Sequence, residues 1–193
     1  MSGLCAALQI DEKDIVLTNN VMKTFFQMRL NDEIVLITEL LHCDEGIEAS
    51  INELIRLDRN YVNLKIMGLT SITDVSILGL VRRLIPGNIL VQKTEPVSAI
   101  RTAFKNAISQ HYNYNQQGWK YQALESSVHL TFRELGMMKF FYSGLTLTAI
   151  GERLCLSPKT VSHYQCSVYR KLKCSSKAEF VSKLRSLGFP EIQ

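Results

Sequence analysis

The sequence predicts a two-part chain: an α/β parallel sheet, followed by a small all-α bundle of four helices. Three observations carry this reading. From Ile34 onward, short apolar runs rich in β-branched residues alternate with apolar residues at helical spacing, the pattern of strands joined by crossover helices. Past residue 128 the strand-like runs stop, and capped amphipathic segments follow one another. The charge also changes sign. Residues 1–128 hold 12 Lys+Arg against 14 Asp+Glu, whereas residues 129–193 hold 10 against 4, a net +6. A cationic C-terminal part suits a polyanion, although solubilising lysines alone can cluster in this way.

The N-terminal elements follow in order. Leu4–Ile10 is read as a first strand, and Asn19 or Asn20 as the cap of a helix bearing Val21, Met22, Phe25 and Phe26. Only Leu30–Glu33 then precede the next strand, so one element is shortened or missing. Ile34–Ile37 is a short buried strand. Ile47, Ile51, Leu54 and Ile55 mark a helix, Leu64–Met67 a strand, and Val75, Leu78, Val81 and Ile85 a second helix that Pro86-Gly87 ends. Ile89–Val91 is a third strand. Pro96 opens a helix with Val97, Ile100, Phe104 and Ile108 on one face. The polar stretch Tyr112–Lys120, which holds the single Trp119, reads as part of a linker. The expected division is 1–110 for the α/β part, 111–127 for the linker and 128–189 for the helical part.

In the C-terminal part, Thr131 and Glu134 form a capping box. Leu135, Met138, Phe141 and Tyr142 supply the apolar face behind it, and Gly144 follows Ser143 as a C-cap. Thr146 caps a short helix whose Ile150 and Leu154 face inward, with Gly151 at its closest approach to the next helix. Ser157 and Pro158 open that next helix. Its Val161, Tyr164, Val168 and Leu172 make an apolar stripe, while Lys159, Ser162, His163, Cys166, Arg170 and Lys173 lie opposite. Two short helices joined by a tight turn match a helix-turn-helix whose second helix enters the major groove. Small polar groups there meet base edges, and cations meet phosphates. The plainer account, a solvated face on an ordinary surface helix, fits the stripe alone but not its neighbours. Ser176 and Glu179 form another capping box before a last helix carrying Phe180, Val181, Leu184 and Leu187.

Leu130-Thr-Phe-Arg-Glu134, Gly144-Leu-Thr146, Ile150-Gly-Glu-Arg-Leu154, Leu156-Ser-Pro-Lys-Thr-Val161 and Arg170-Lys-Leu172 occur in order at characteristic spacings. Together they resemble the LuxR/FixJ-type DNA-binding domain of bacterial transcription regulators, over residues 128–189. The resemblance implies double-stranded DNA as partner and a DNA-binding set of Thr146, Lys159, Thr160, Ser162, His163, Cys166, Arg170, Lys171 and Lys173. Many relatives carry a Lys directly after the Thr-Val pair and a basic or polar residue about a turn later. Here those positions hold Ser162 and Cys166. Phosphate-facing cations at Lys159, Arg170, Lys171 and Lys173 keep affinity, because phosphates supply most of it, whereas sequence preference is expected to differ. The last helix mediates dimerisation in relatives. This implies a homodimer, or a heterodimer with another regulator.

An α/β part ahead of such a domain resembles a response-regulator receiver. A receiver's phosphorylatable Asp lies eight residues before a Gly, and counting back from Gly46 lands on Thr38, with Glu39 beside it. Thr38 is thus a degenerate phospho-acceptor position. Asp11 and Glu12 stand for the Mg²⁺-holding pair, Thr70 or Ser71 for the switch hydroxyl. The lysine aligns with Val91 unless the register slips to Lys93. Without the Asp, control by phosphotransfer is not expected.

No phosphate-cradling Gly-rich loop, metal-spaced histidine pair or nucleophile elbow is present, so neither enzyme activity nor a cofactor is expected. Cys5, Cys43, Cys155, Cys166 and Cys174 are odd in number and lack Cys-x-x-Cys spacing, which speaks against a disulfide framework or zinc site. Reduced thiols and the absence of a leader or a bilayer-spanning apolar run fit a cytoplasmic protein without membrane attachment. The expected function is that of a phosphorylation-independent DNA-binding transcription regulator. The alternative is an auxiliary protein that heterodimerises with another regulator and contributes little DNA recognition itself. A sigma-factor-like promoter reader is a third idea, disfavoured because no second, DNA-melting helical region is present.

Overall fold

The computed structural model describes residue 16 and residues 33–41, 46–108 and 129–189. The expected first strand, the helix after it, the Asp11-Glu12 pair and the Trp119 linker lie outside these residues. Three parallel strands form one sheet in the order β1-β2-β3: β1 is Ile34–Thr38, β2 Leu64–Thr70 and β3 Ile89–Gln92. Helices α1 (Ile47–Asn60) and α2 (Val75–Leu84) make the two connections, and α3 (Val97–Ile108) follows β3. Parallel neighbours need such crossovers, because a tight turn only reverses the chain.

The sheet register explains its core. Ile37 pairs with Met67, and Met67 with Ile89; Leu69 pairs with Val91. Alternate residues share a face, so Val35, Ile37, Met67, Leu69, Ile89 and Val91 make one apolar surface. Helix α3 covers it with Ile100, Ala103, Phe104 and Ala107.

The chain forms two compact units. Among the described residues, the first holds the strands, α1 from Asn52 onward and α3. The second holds residues 46–51, α2 and four C-terminal helices: α4 (Phe132–Tyr142), α5 (Leu147–Leu154), α6 (Pro158–Lys171) and α7 (Lys177–Ser186). Helix α2 is buried without a break from Ser76 to Arg82, so it belongs to an interior rather than to a solvated surface. Its Gly79 faces His129, where an added Cβ would lie 2.1 Å from the ring Nδ1. Asp74 starts α2, its Oδ1 accepting the Ser76 and Ile77 amides at 2.9 and 3.2 Å. No helix among the described residues is long and apolar enough to cross a membrane.

Candidate nucleic-acid interface

The helix pair α5–α6 is built by its caps. Thr146 accepts the Ala149 amide at 3.2 Å, and Ser157 accepts the Thr160 amide at 3.1 Å with Pro158 next in line. The turn between them is tight. Cys155 takes the left-handed conformation (φ 54°, ψ 43°), and the Leu156 amide donates to the Gly151 carbonyl at 2.8 Å. A Cβ on Gly151 would meet the Leu156 carbonyl oxygen at 2.5 Å. The glycine thus accommodates the turn into α6, whose first residue, Pro158, would have its nitrogen 3.6 Å from that Cβ.

Helix α6 has the two faces its sequence predicts. Val161, Val168 and Leu172 are wholly buried, and Tyr164 is half-buried. Lys159, His163, Cys166, Arg170 and, just past the helix, Lys173 are exposed, and Ser162 is half-exposed between them. Lys159, His163, Cys166 and Arg170 lie three or four apart, on one ridge of the helix, and Lys173 follows beyond its end in the left-handed conformation (φ 55°). Thr146 is exposed at the head of α5. Thr160 is half-buried, and its hydroxyl lies 2.8 Å from that of Ser157, within the cap.

Lys171 does not join this face. Its ammonium donates to Glu134 Oε2 at 2.6 Å, and its side chain is only 12 % exposed. Each helical step turns about 100°, so the residue after Arg170 points away from the ridge and toward α4. Glu134 receives more than this. Its Oε2 also accepts the Thr131 amide at 2.6 Å and the Thr131 hydroxyl at 2.9 Å, and its Oε1 accepts the Ser167 hydroxyl at 2.7 Å. Burial pushes its carboxyl up. The bonds from Lys171, the Thr131 amide, Ser167 and the Thr131 hydroxyl outweigh that and hold it below the ordinary carboxylate range. The capping box of α4 thereby doubles as an anchor for α6, a use that neither motif announces by itself.

Helix α7 turns most of its apolar residues inward. Phe180 and Leu184 are wholly buried and Leu187 is 3 % exposed. Phe180 stacks on Tyr169 of α6, ring centroids 4.6 Å apart. Phe180, Leu184 and Leu187 complete the core, and Val181 is part-exposed. The second capping box is shifted too. The Ser176 hydroxyl accepts the Glu179 amide, but the Glu179 carboxylate turns to the amide and hydroxyl of Ser175 at 2.6 and 2.7 Å.

At the end of β1, the Thr38 hydroxyl donates to the Glu39 carbonyl at 3.2 Å. Glu39, past the strand, accepts the Leu40 amide at 2.9 Å and pairs with Lys93. The Lys93 amide donates to the Thr70 carbonyl at 3.0 Å. Lys93 rather than Val91 is therefore the cation at this corner of the sheet.

Residues 128–184 match the family described as bacterial regulatory proteins, luxR family. These residues form a luxR-family domain. The likeness to solved structures extends further along the chain. The RcsB response regulator of Salmonella typhimurium superposes with a TM-score of 0.55 at 21% identity, over 96% of this chain and 91% of that one. An RcsB–DNA complex gives 0.57 at 20% identity, covering 95% and 91%. A structure of two RcsB dimers bound to two parallel DNAs gives 0.56 at 22%, covering 96% and 92%. At this identity the likeness is one of fold: a parallel sheet with helices, then the luxR-type helices. No curated protein matches the chain.

Proposed function

We propose that this protein is a transcription regulator that reads double-stranded DNA with α6, without control by phosphorylation. One observation carries the reading: Ser162, His163 and Cys166 sit on a ridge between the cations Lys159, Arg170 and Lys173, while Val161, Val168 and Leu172 on the opposite side are buried. Cations at both ends meet phosphates; the short groups between them meet base edges. The hydroxyls of Thr146 and Thr160 lie at the heads of α5 and α6, where helix N-termini favour phosphate. The luxR-family domain and the DNA complexes of RcsB, a protein of like fold, support this reading. DNA reading, rather than catalysis, is the use assigned to these residues. It places the protein with the chromosome, in the cytoplasm, with a receiver-like part over residues 1–110, a linker over 111–127 and the reading domain over 128–189.

Independence from phosphorylation rests on the β1 corner. The only side-chain oxygen at the expected acceptor position is the Thr38 hydroxyl, a poor nucleophile without a general base. The lysine of that corner is paired with Glu39.

RcsB is found as dimers on DNA. A homodimer of this chain reading two half-sites is the matching proposal. The auxiliary, heterodimerising role stays as the second reading, favoured by the neutral Ser162 and Cys166 where relatives carry cations or polar groups. Selection of duplexes from a random-sequence pool by the full chain decides between them. The reading predicts enrichment of one motif by the chain alone. A pool that stays random supports the auxiliary role.

A further inference from the structure

The last carbonyls of a helix have no partners within it and must find them elsewhere. At the end of α6 each one can be followed. The Val168 carbonyl accepts the Leu172 amide at 2.9 Å, that of Tyr169 the Cys174 amide at 2.9 Å, and that of Arg170 the Lys173 amide at 3.1 Å. The next two are met from far along the chain. The Lys171 carbonyl accepts the Ser76 hydroxyl at 2.8 Å, and the Leu172 carbonyl accepts the Lys183 ammonium at 2.6 Å. Lys183 is itself paired with Asp74 at 2.6 Å, the Asp74 side chain being 11% exposed. Asp74 and Ser76 form the first turn of α2, inside the same compact unit as α6.

We infer that Asp74 and Ser76 are positioning residues for the DNA-reading helix: they clasp its C-terminal end and so set its aim. This rests on the DNA reading proposed above. The clasp takes hold at Lys171 and Leu172, directly beside Arg170 and Lys173, the cations at that end of the ridge. It leaves His163, Cys166, Arg170 and Lys173 exposed, so it supports the reading face and does not cover it. Lys171 is held twice, by its ammonium on Glu134 and by its carbonyl on Ser76. A helix end fixed at several points keeps base-reading groups within the narrow tolerance that hydrogen-bond readout demands, whereas phosphate attraction tolerates a looser fit.

The test uses the full chain and two duplexes: the motif enriched by the unaltered protein, and a random sequence. Ser76→Ala deletes the hydroxyl. Asp74→Asn removes the charge that holds Lys183 yet keeps a good cap for α2. Either variant is expected to lose roughly tenfold in preference for the enriched over the random duplex, the scale of one hydrogen bond. Affinity for random DNA and its salt dependence are expected to stay within about twofold, since Lys159, Arg170 and Lys173 remain. Ser76→Thr, which retains a hydroxyl, is expected to restore the preference. Unchanged preference in both variants overturns the inference. So does equal weakening on both duplexes, which would make the two residues stabilisers of the fold without influence on aim. If the unaltered chain enriches no duplex at all, the DNA reading itself fails, and the clasp fails with it as a device for aiming.

Discussion

At the scale of single residues, the proposed DNA reading assigns some exposed groups of α6 to attraction and others to discrimination. Arg170 is exposed at the cationic end of the ridge, so Arg170→Ala is expected to weaken enriched and random DNA alike. His163→Ala is expected to reduce mainly the preference between them, by about 1–3 kcal/mol in competition binding. Equal losses on both duplexes would remove His163 from the readers. Lys171 belongs to neither group. Its charge made it look like a phosphate contact, but at about 100° per residue it stands a full step off the Lys159–Arg170 ridge, four residues after Ser167 and three after Val168. That much was legible from the helical spacing. Its partner Glu134, 37 residues away, was not, because nothing in a capping box specifies a second client. Lys171→Met leaves the buried Glu134 carboxylate its bonds from Thr131 and Ser167 but removes its counter-charge. A loss of about 3–5 kcal/mol in denaturant unfolding is expected, with no change in the salt slope of DNA binding. A slope reduced as Arg170→Ala reduces it would return Lys171 to the DNA face.

At the scale of elements, the described strands and helices stand where the sequence placed them, because each has a local cause. β-branched runs made β1 and β3; Thr131, Thr146, Ser157 and Ser176 opened α4 to α7 as caps. The ends were less legible. Leu64–Met67 was the readable part of β2, which continues to Thr70 through Gly68, a residue of low strand preference. Glu179 closes on Ser175 rather than Ser176, a choice between adjacent donors that sequence leaves open. The apolar face of α7 was legible as apolar, but whether core or partner covers it depends on tertiary packing. The α4–α6 anchor also has a pH signature. Glu134 is held below its ordinary range in the folded protein, so its stabilisation is fully present above the unfolded value of 4.5 and is lost as pH falls through 4.5 toward the lowered folded value. Urea midpoints of the full chain are expected to drop across that window. Glu134→Gln is expected to be less stable at neutral pH and to drop less; parallel curves for the two proteins would show that other carboxylates cause the acid loss.

At the scale of the whole molecule, the order of sheet and helices was legible, and the company kept by α2 was not. Val75, Leu78, Val81 and Ile85 announced a helix with an apolar face, as any crossover helix has. Nothing in that periodicity shows that Ser76 to Arg82 are buried continuously, or that Ser76 directly, and Asp74 through Lys183, meet the end of α6. Such pairings separate residues by a hundred positions and leave no local trace. The proposed independence from phosphorylation yields a further expectation. Incubated with a small phosphodonor and Mg²⁺, the protein is expected to keep its intact mass and its DNA affinity. An acid-labile phosphate accompanied by altered affinity would contradict phosphorylation independence. Whether α6 presents a cationic ridge to DNA is decided by titration of the full chain on duplex DNA across a range of salt. With Lys171 turned inward, Lys159 and Arg170 of α6 and Lys173 just past it are the proposed phosphate contacts, and a log–log slope of about −3 or steeper is expected, reduced by about one in Arg170→Ala. Undetectable binding at low salt, or a slope near zero, would contradict the account.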